Sequence, residues 1–243
     1  MPADYLILIP TYNEKENVEK IFNKVNALGL SLDILFVDDN SIDGTKEILN
    51  ELANANNNLF VINRPGKMGI GSAHQDGIKW AYEKGYKTLI SMDCDLTHSP
   101  SDISLFIENA ADYDIVVGSR YMQKDSIDTW NMYRKFLTRL GHFLTTTLLG
   151  MKYDASGAFR LYKIADINRN VFGLIESKTY SFFFESLLVL HLNKFKITEI
   201  PIKLPARTYG SSKMTLNDMI LSLKMLAKMF WKKTFHKKKM IIK

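Results

Sequence analysis

The sequence predicts an α/β fold: a Rossmann-like, doubly wound, mostly parallel sheet with helices on both faces. Three observations carry that expectation. Short apolar runs alternate with helix-spaced stretches between residues 5 and 120. Each run has the length and composition of a buried strand. Carboxylates gather directly after several of the runs, where open sheets of this kind bind their ligands.

In chain order, "YLILIP" (5–10) is an apolar run closed by Pro. Residues 16–28 place Val18, Ile21, Phe22, Val25 and Leu28 at helical spacing. A second strand, "LDILFVDD" (32–39), leads through "NSIDGT" to a helix containing Ile48, Leu49 and Leu52. "LFVIN" (59–63) is the third, followed by a glycine-rich turn and a helix over 72–84. "TLISMD" (88–93) is the fourth; Pro100 suits the first turn of the next helix, and "DIVVGSR" (114–120) is the fifth. Beyond it, 133–149 and 180–192 are helical and strongly apolar, with a strand-like "FKITEIPIKL" (195–204) after them. The last helix starts near Thr215 and carries Leu216, Met219, Ile220, Leu223, Leu226, Ala227 and Phe230 on one stripe. No linker or repeat interrupts this order. Residues 1–231 therefore read as one domain ending in an amphipathic helix (215–231), and 232–243 as a basic tail.

The net charge of +6 is concentrated there, in Lys232, Lys233, Lys237, Lys238, Lys239 and Lys243. Such an excess suits an anionic membrane surface or a phosphorylated ligand. No basic stripe interleaved with aromatics points to nucleic acid. Cys94 is the single cysteine, so no intrachain disulfide forms and a reducing compartment is expected. The N-terminal apolar run lacks the basic flank and length of a signal peptide, and no segment has the apolar length of a spanning helix. A cytoplasmic protein touching a membrane is the expectation.

Thr11, Tyr12, Asn13 and Glu14 follow the first strand, Asp38 and Asp39 end the second, Asp93 and Asp95 the fourth, and Gly118, Ser119 and Arg120 the fifth. One such acid is readily a helix cap, the reading given to Asp43 before Gly44. Carboxylates gathered at three separate strand ends point to a site. Asp93-x-Asp95 suits a hard divalent cation, Mg²⁺ or Mn²⁺, that keeps waters and bridges substrate phosphates; no Cys/His set exists for zinc. His98 reads as a supporting loop residue. "RPGKMGIGSAHQDG" (64–77) is neither dinucleotide fingerprint nor Walker loop, and a tight strand-to-helix turn accounts for Gly69 and Gly71 as well as phosphate binding does.

Taken together, "PTYNEKEN" (10–17), "VDDNSIDGT" (37–45), "RPGKMGIGSA" (64–73), "MDCDLTHSP" (92–100) and "VVGSRY" (116–121) resemble family 2 glycosyltransferases of the GT-A fold. Trp130-x3-Arg134, "DASGAFR" (154–160) and "RTYGSSK" (207–213) narrow the resemblance to polyprenol-phosphate (dolichol-phosphate) mannosyltransferases. The resemblance implies a hexosyltransferase. It implies that Pro10, Tyr12, Glu14 and Asp39 hold the nucleoside and that Asp93 and Asp95 hold the metal and diphosphate, with Cys94 and Thr97 beside them. Arg120, Arg134, Arg207 and Lys213 would surround donor diphosphate and acceptor phosphate, with Thr138 nearby; Asp95, Arg120 and Arg134 are its catalytic residues. Thr97 stands where relatives often carry Gln or Ser, Thr138 replaces a Ser, and His142 replaces an Asn.

The implied reaction moves mannose from GDP-mannose to a polyprenyl or dolichyl monophosphate, inverting the anomeric centre. A phosphate monoester is already anionic and needs cations to position it rather than a general base. A soluble family 2 enzyme acting on a sugar hydroxyl is the alternative, and it needs a carboxylate base. Glu185 has two readings, such a base or a buried carboxylate paired with an arginine such as Arg160. The lipid acceptor implies peripheral attachment at the cytosolic face of a membrane, through helices 133–149 and 215–231 and the basic tail or through a membrane-anchored partner. Both helices would otherwise cap the sheet.

Overall fold

The computed structural model describes residues 3–206 and 215–242. The five apolar runs form β1 (Tyr5–Thr11), β2 (Leu32–Asp38), β3 (Leu59–Asn63), β4 (Thr88–Ser91) and β5 (Ile115–Ser119). Between them run α1 (Val18–Asn26), α2 (Thr45–Ala55), α3 (Ile70–Lys84) and α4 (Ile103–Asn109). The remainder supplies α5 (Met132–Leu149), β6 (Arg160–Tyr162), α6 (Phe182–Leu192), β7 (Ile197–Pro201) and α7 (Leu216–Phe235).

The strands form one sheet in the order β3-β2-β1-β4-β6-β5-β7. Neighbours are parallel except where β6 lies antiparallel to both β4 and β5. Side chains alternate between two cores. Leu6, Leu8, Leu35 and Val37 face α3, α6 and part of α7, whereas Ile7, Ile9, Ile34 and Phe36 face α1, α2 and α4. Burial on both faces explains why the strands read as unbroken apolar runs. The same logic applies to α6, which is apolar on every side and buried along nearly its whole length.

Two expectations need correction. β6 was not foreseen: three residues headed by an arginine carry no periodicity, yet all three are buried. The segment read as a basic tail, 232–243, begins inside a helix and is anchored over its described length. The last helix continues to Phe235 rather than ending at 231, and a 3-10 turn follows at Lys237–Met240. Met240 is buried. Asn193, at the end of α6, donates to the Met240 carbonyl and accepts from the Ile242 N–H. The apolar residues after the lysines anchor the segment.

The amphipathic helices cover the sheet only in part. In α5, Thr145 and Leu149 are buried, and in α7, Leu226 and Met229. The two helices pack together, and Lys233 Nζ donates to the Leu149 carbonyl (2.7 Å). Met132 (76% exposed), Phe136 (62%) and Phe143 on α5 face solvent, as do Leu216 (72%), Ile220, Leu223 and Trp231 on α7. Among the described residues no helix is long and apolar enough to cross a membrane.

Candidate active site

The strand ends come together because their loops are stitched to one another. After β1, Asn13 takes a left-handed conformation (φ 52), which Asn tolerates better than most residues. Its N–H donates to the Ser41 hydroxyl, and its side-chain oxygen accepts from the Ile42 N–H. Glu14 N–H donates to Thr45 Oγ1. Asp38 is consumed by the turn it begins, accepting from both the N–H and the hydroxyl of Ser41. Asp43 accepts from the backbones of Lys15 and Thr45 and from the Thr45 hydroxyl, so its structural reading holds. The two loop motifs support each other.

Asp39 pairs with buried Arg64 and accepts from the N–H groups of Met68 (3.2 Å) and Gly69 (3.0 Å). Burial pushes its carboxyl up against the opposing pull of Arg64. It thereby ties the end of β2 to the glycine-rich turn. That turn is shaped by close approach: a Cβ on Gly71 would lie 2.6 Å from the Thr179 carbonyl oxygen and 2.7 Å from Phe182 Cβ. Gly69, at φ +97, would meet the Lys178 carbonyl oxygen at 2.6 Å. The Ser72 N–H, in the first turn of α3, already donates to Lys178 O. Gly71→Ala is expected to cost about 1–3 kcal/mol of stability by urea unfolding, as overpacking does. Gly66→Ala, with open space around it, should stay within about 0.5 kcal/mol of wild type.

Beyond β4, the Asp93 N–H donates to His98 Nδ1 (2.9 Å), and the His98 ring lies against Phe159. Leu96 is left-handed (φ 61), a conformation that costs a bulky side chain about 1–2 kcal/mol. It turns the chain so that the N–H and hydroxyl of Thr97 both donate to Asp95 Oδ1. Asp95 is buried, while Asp93 is partly open. Burial, with Glu14 and the flanking acids, pushes the Cys94 thiol well up. It stays protonated and is not a nucleophile.

Arg120, after β5, forms a fork with fully buried Asp154, at 2.7 Å from Nε to Oδ2 and 3.3 Å from Nη2 to Oδ1. Burial works against its charge, but Asp154 foremost, and Asp93 among others, raise its pKa. On α5, the Arg134 guanidinium stacks 3.5 Å from the Trp130 ring centroid. Thr138 accepts the Tyr121 hydroxyl at its carbonyl, and His142 stacks on the Tyr121 ring (3.9 Å between centroids). Arg207 and Lys213 lie outside the described residues.

Neither reading of Glu185 as a base nor its pairing with Arg160 holds. Its oxygens accept from the backbone of Glu176 and Ser177. Arg160 instead donates to the carbonyls of Phe183 and Ala155 and to Ser186 Oγ.

A cavity of about 340 Å³ opens at the carboxyl ends of β1, β2 and β4. Pro10, Tyr12, Glu14, Asp39, Asp93, Cys94 and Asp95 line it, as the strand-end argument expects. Thr97, Arg120, Arg134 and Thr138 do not. Sequence reasoning missed Lys67, whose Nζ sits 4.5 Å from the Tyr12 ring centroid. It also missed Thr179, Tyr180, Thr215 and Asp218 in the wall. Thr215 and Asp218 form a capping box at the start of α7, a pattern legible in sequence but silent about where the helix begins in space.

A sheet with one antiparallel strand set among parallel ones, and an acid-lined cavity at its carboxyl edge, is the architecture of GT-A glycosyltransferases. Glucosyl-3-phosphoglycerate synthase from Mycobacterium tuberculosis, solved with Mn²⁺, UDP and phosphoglyceric acid, has this fold. It superposes with a TM-score of 0.67 at 13% identity, over 96% of this chain and 79% of that one. Residues 6–170 match Glycosyl transferase family 2, and the chain belongs to that family. Among curated relatives, the polyprenol monophosphomannose synthase of Mycolicibacterium smegmatis is 33% identical over 213 residues, 86% of this chain and 80% of the relative. The undecaprenyl-phosphate mannosyltransferase of Micrococcus luteus is 32% identical over 212 residues, 86% and 87% respectively. The chain is a glycosyltransferase.

Proposed function

We propose that the enzyme transfers mannose from GDP-mannose to a polyprenyl monophosphate, inverting the anomeric centre, with a divalent cation, Mg²⁺ or Mn²⁺, on Asp93 and Asp95. The observation that carries this reading is the convergence of Tyr12, Glu14, Asp39, Asp93 and Asp95 in one cavity; the relatives' names supply the sugar and the lipid. The donor set fits the cation. Among the described residues no three His, Cys, Asp or Glu side chains form a metal-binding group, and two hard carboxylates suit an ion that takes its other ligands from phosphate and water. When bound, such an ion offsets the charge of the departing diphosphate.

The protein's own groups do the rest. Tyr12, Glu14 and Asp39 hold the nucleoside end, and Asp39 does so while bracing the glycine turn. Cys94 and Thr97 shape the turn between and after the acids. Arg120, fixed by Asp154 outside the cavity lining, offsets diphosphate charge from beside Asp93, and Arg134, Thr138, Arg207 and Lys213 receive the acceptor phosphate. Its oxygen, already anionic in a phosphate monoester, attacks the anomeric carbon without a base. The test is transfer from GDP-mannose, UDP-glucose and UDP-N-acetylglucosamine to a short polyprenyl phosphate, with and without EDTA. An EDTA-sensitive, organic-extractable mannolipid is expected. Nucleotide-sugar binding without lipid product from any donor would move the reading to a hydroxyl acceptor.

The acceptor's hydrocarbon tail calls for a membrane, and the exposed apolar stripes of α5 and α7 suit an interface, flanked by exposed Lys237, Lys238 and Lys239. In this reading the enzyme sits on the cytosolic face. Sedimentation with anionic vesicles should fall about tenfold or more when Phe136 and Phe143 are both changed to Ser. It should also weaken with salt; unchanged binding would remove the stripes from the interface.

A further inference from the structure

We infer that Glu185 is a positioning residue for the cavity: its buried carboxylate fixes the 176–177 backbone and so holds Thr179 and Tyr180 in the cavity wall. This rests on the reading of the cavity as the nucleotide-sugar site. Glu185 lies in the first turn of α6, 1% exposed, in a helix whose other buried residues are nearly all apolar. Burying a carboxylate there works against stability unless donors meet it. Two do, both main-chain: Glu176 N–H at 3.2 Å to Oε1 and Ser177 N–H at 2.8 Å to Oε2.

These two N–H groups open a strap that runs directly into the cavity. Gln75 Nε2 donates to the carbonyls of Ile175 (3.0 Å) and Ser177 (3.4 Å). Lys178 O takes the Ser72 N–H, where Gly69 and Gly71 leave no room for a side chain. The next two residues, Thr179 and Tyr180, line the cavity, and Thr179 O then accepts the Phe182 N–H at the start of α6. The strap is thus held from below by α3 and from behind by Glu185. Packing alone needs no charge at 185, whereas gripping two adjacent N–H groups needs an acceptor at both oxygens. Glutamine keeps the shape and supplies only one.

The experiment compares wild type, Glu185→Gln, Tyr180→Ala and the double variant, with GDP as the probe. Titration calorimetry should show GDP binding about tenfold weaker in Glu185→Gln. Amide exchange at Glu176 and Ser177 should be faster in that variant, with or without GDP. Because both changes act on one wall, the double variant should bind little worse than the weaker single one. Wild-type GDP affinity and exchange in Glu185→Gln, or additive losses in the double variant, would overturn the inference. Faster exchange in Glu185→Gln alongside a wild type that binds no GDP would overturn the donor-site reading and with it the link to nucleotide, while leaving the strap's dependence on Glu185 demonstrated.

Discussion

Asp95→Asn is expected to lower sugar transfer about 10²- to 10³-fold, the scale on which removing one preorganised electrostatic group acts, while the protein unfolds at nearly the wild-type temperature. The separation of the two effects follows from the local geometry. Asp95 uses Oδ1 to accept from the N–H and hydroxyl of Thr97. Asparagine keeps an oxygen for those donors, so the turn through left-handed Leu96 survives. What it loses is the negative charge facing the cavity. Turnover measured against Mn²⁺ concentration, beside a thermal melt, distinguishes the cases. Undiminished turnover in this variant would remove Asp95 from the metal site.

Asp154→Ala carries the largest expected cost to stability, about 3–5 kcal/mol, because it leaves the Arg120 guanidinium largely buried without its partner. Asp154 is fully buried and accepts from Arg120 through Nε, Nη2 and the main-chain N–H. Burial pushes its carboxyl up, but the charge and hydrogen bonds of Arg120, joined by the charge of Arg160, together outweigh burial and hold the pKa below the ordinary carboxylate value. For a group depressed in the folded state, the stabilisation is complete above the unfolded pKa, about 3.9 for Asp. It is lost as pH falls from there through the lower folded value. Urea unfolding of the wild type should therefore show this contribution intact at neutral pH and fading only below that range. In Asp154→Ala the component vanishes. Replacing both partners by apolar residues, as in Arg120→Met with Asp154→Leu, should recover much of the stability without restoring transfer.

The strand-end half of the cavity was legible because its residues follow strands, and strands buried on both faces announce themselves as apolar runs. Pro10, Tyr12, Glu14, Asp39, Asp93, Cys94 and Asp95 all reached the cavity by that rule. The other wall was not legible. Thr179 and Tyr180 belong to a strap whose course is set by main-chain contacts, and Thr215 and Asp218 to a helix start with no local sign of where it docks. Arg120 was recognised as a cation beside the site, but its partner Asp154 lies 34 residues away and nothing near either residue announces the pairing. The exposed apolar faces of α5 and α7 follow from their periodicity; how little of them covers the sheet required the packing.

The reversed strand β6 has a consequence for how the chain can be made. Strand-helix alternation suggests a half-protein that folds as it emerges, one strand after another. Yet among the described strands β5 pairs only with β6 and β7, and both are synthesised later. A nascent chain ending before residue 160 can join β1, β2, β3 and β4, but it leaves β5 an orphan and β4 with one open apolar edge. Open edges of that kind recruit other chains, and pairings that wait for distant residues slow folding. Truncation after α5 should therefore yield an aggregating fragment rather than a minimal nucleotide-binding domain, and a three-residue strand sets the earliest moment at which the sheet can close.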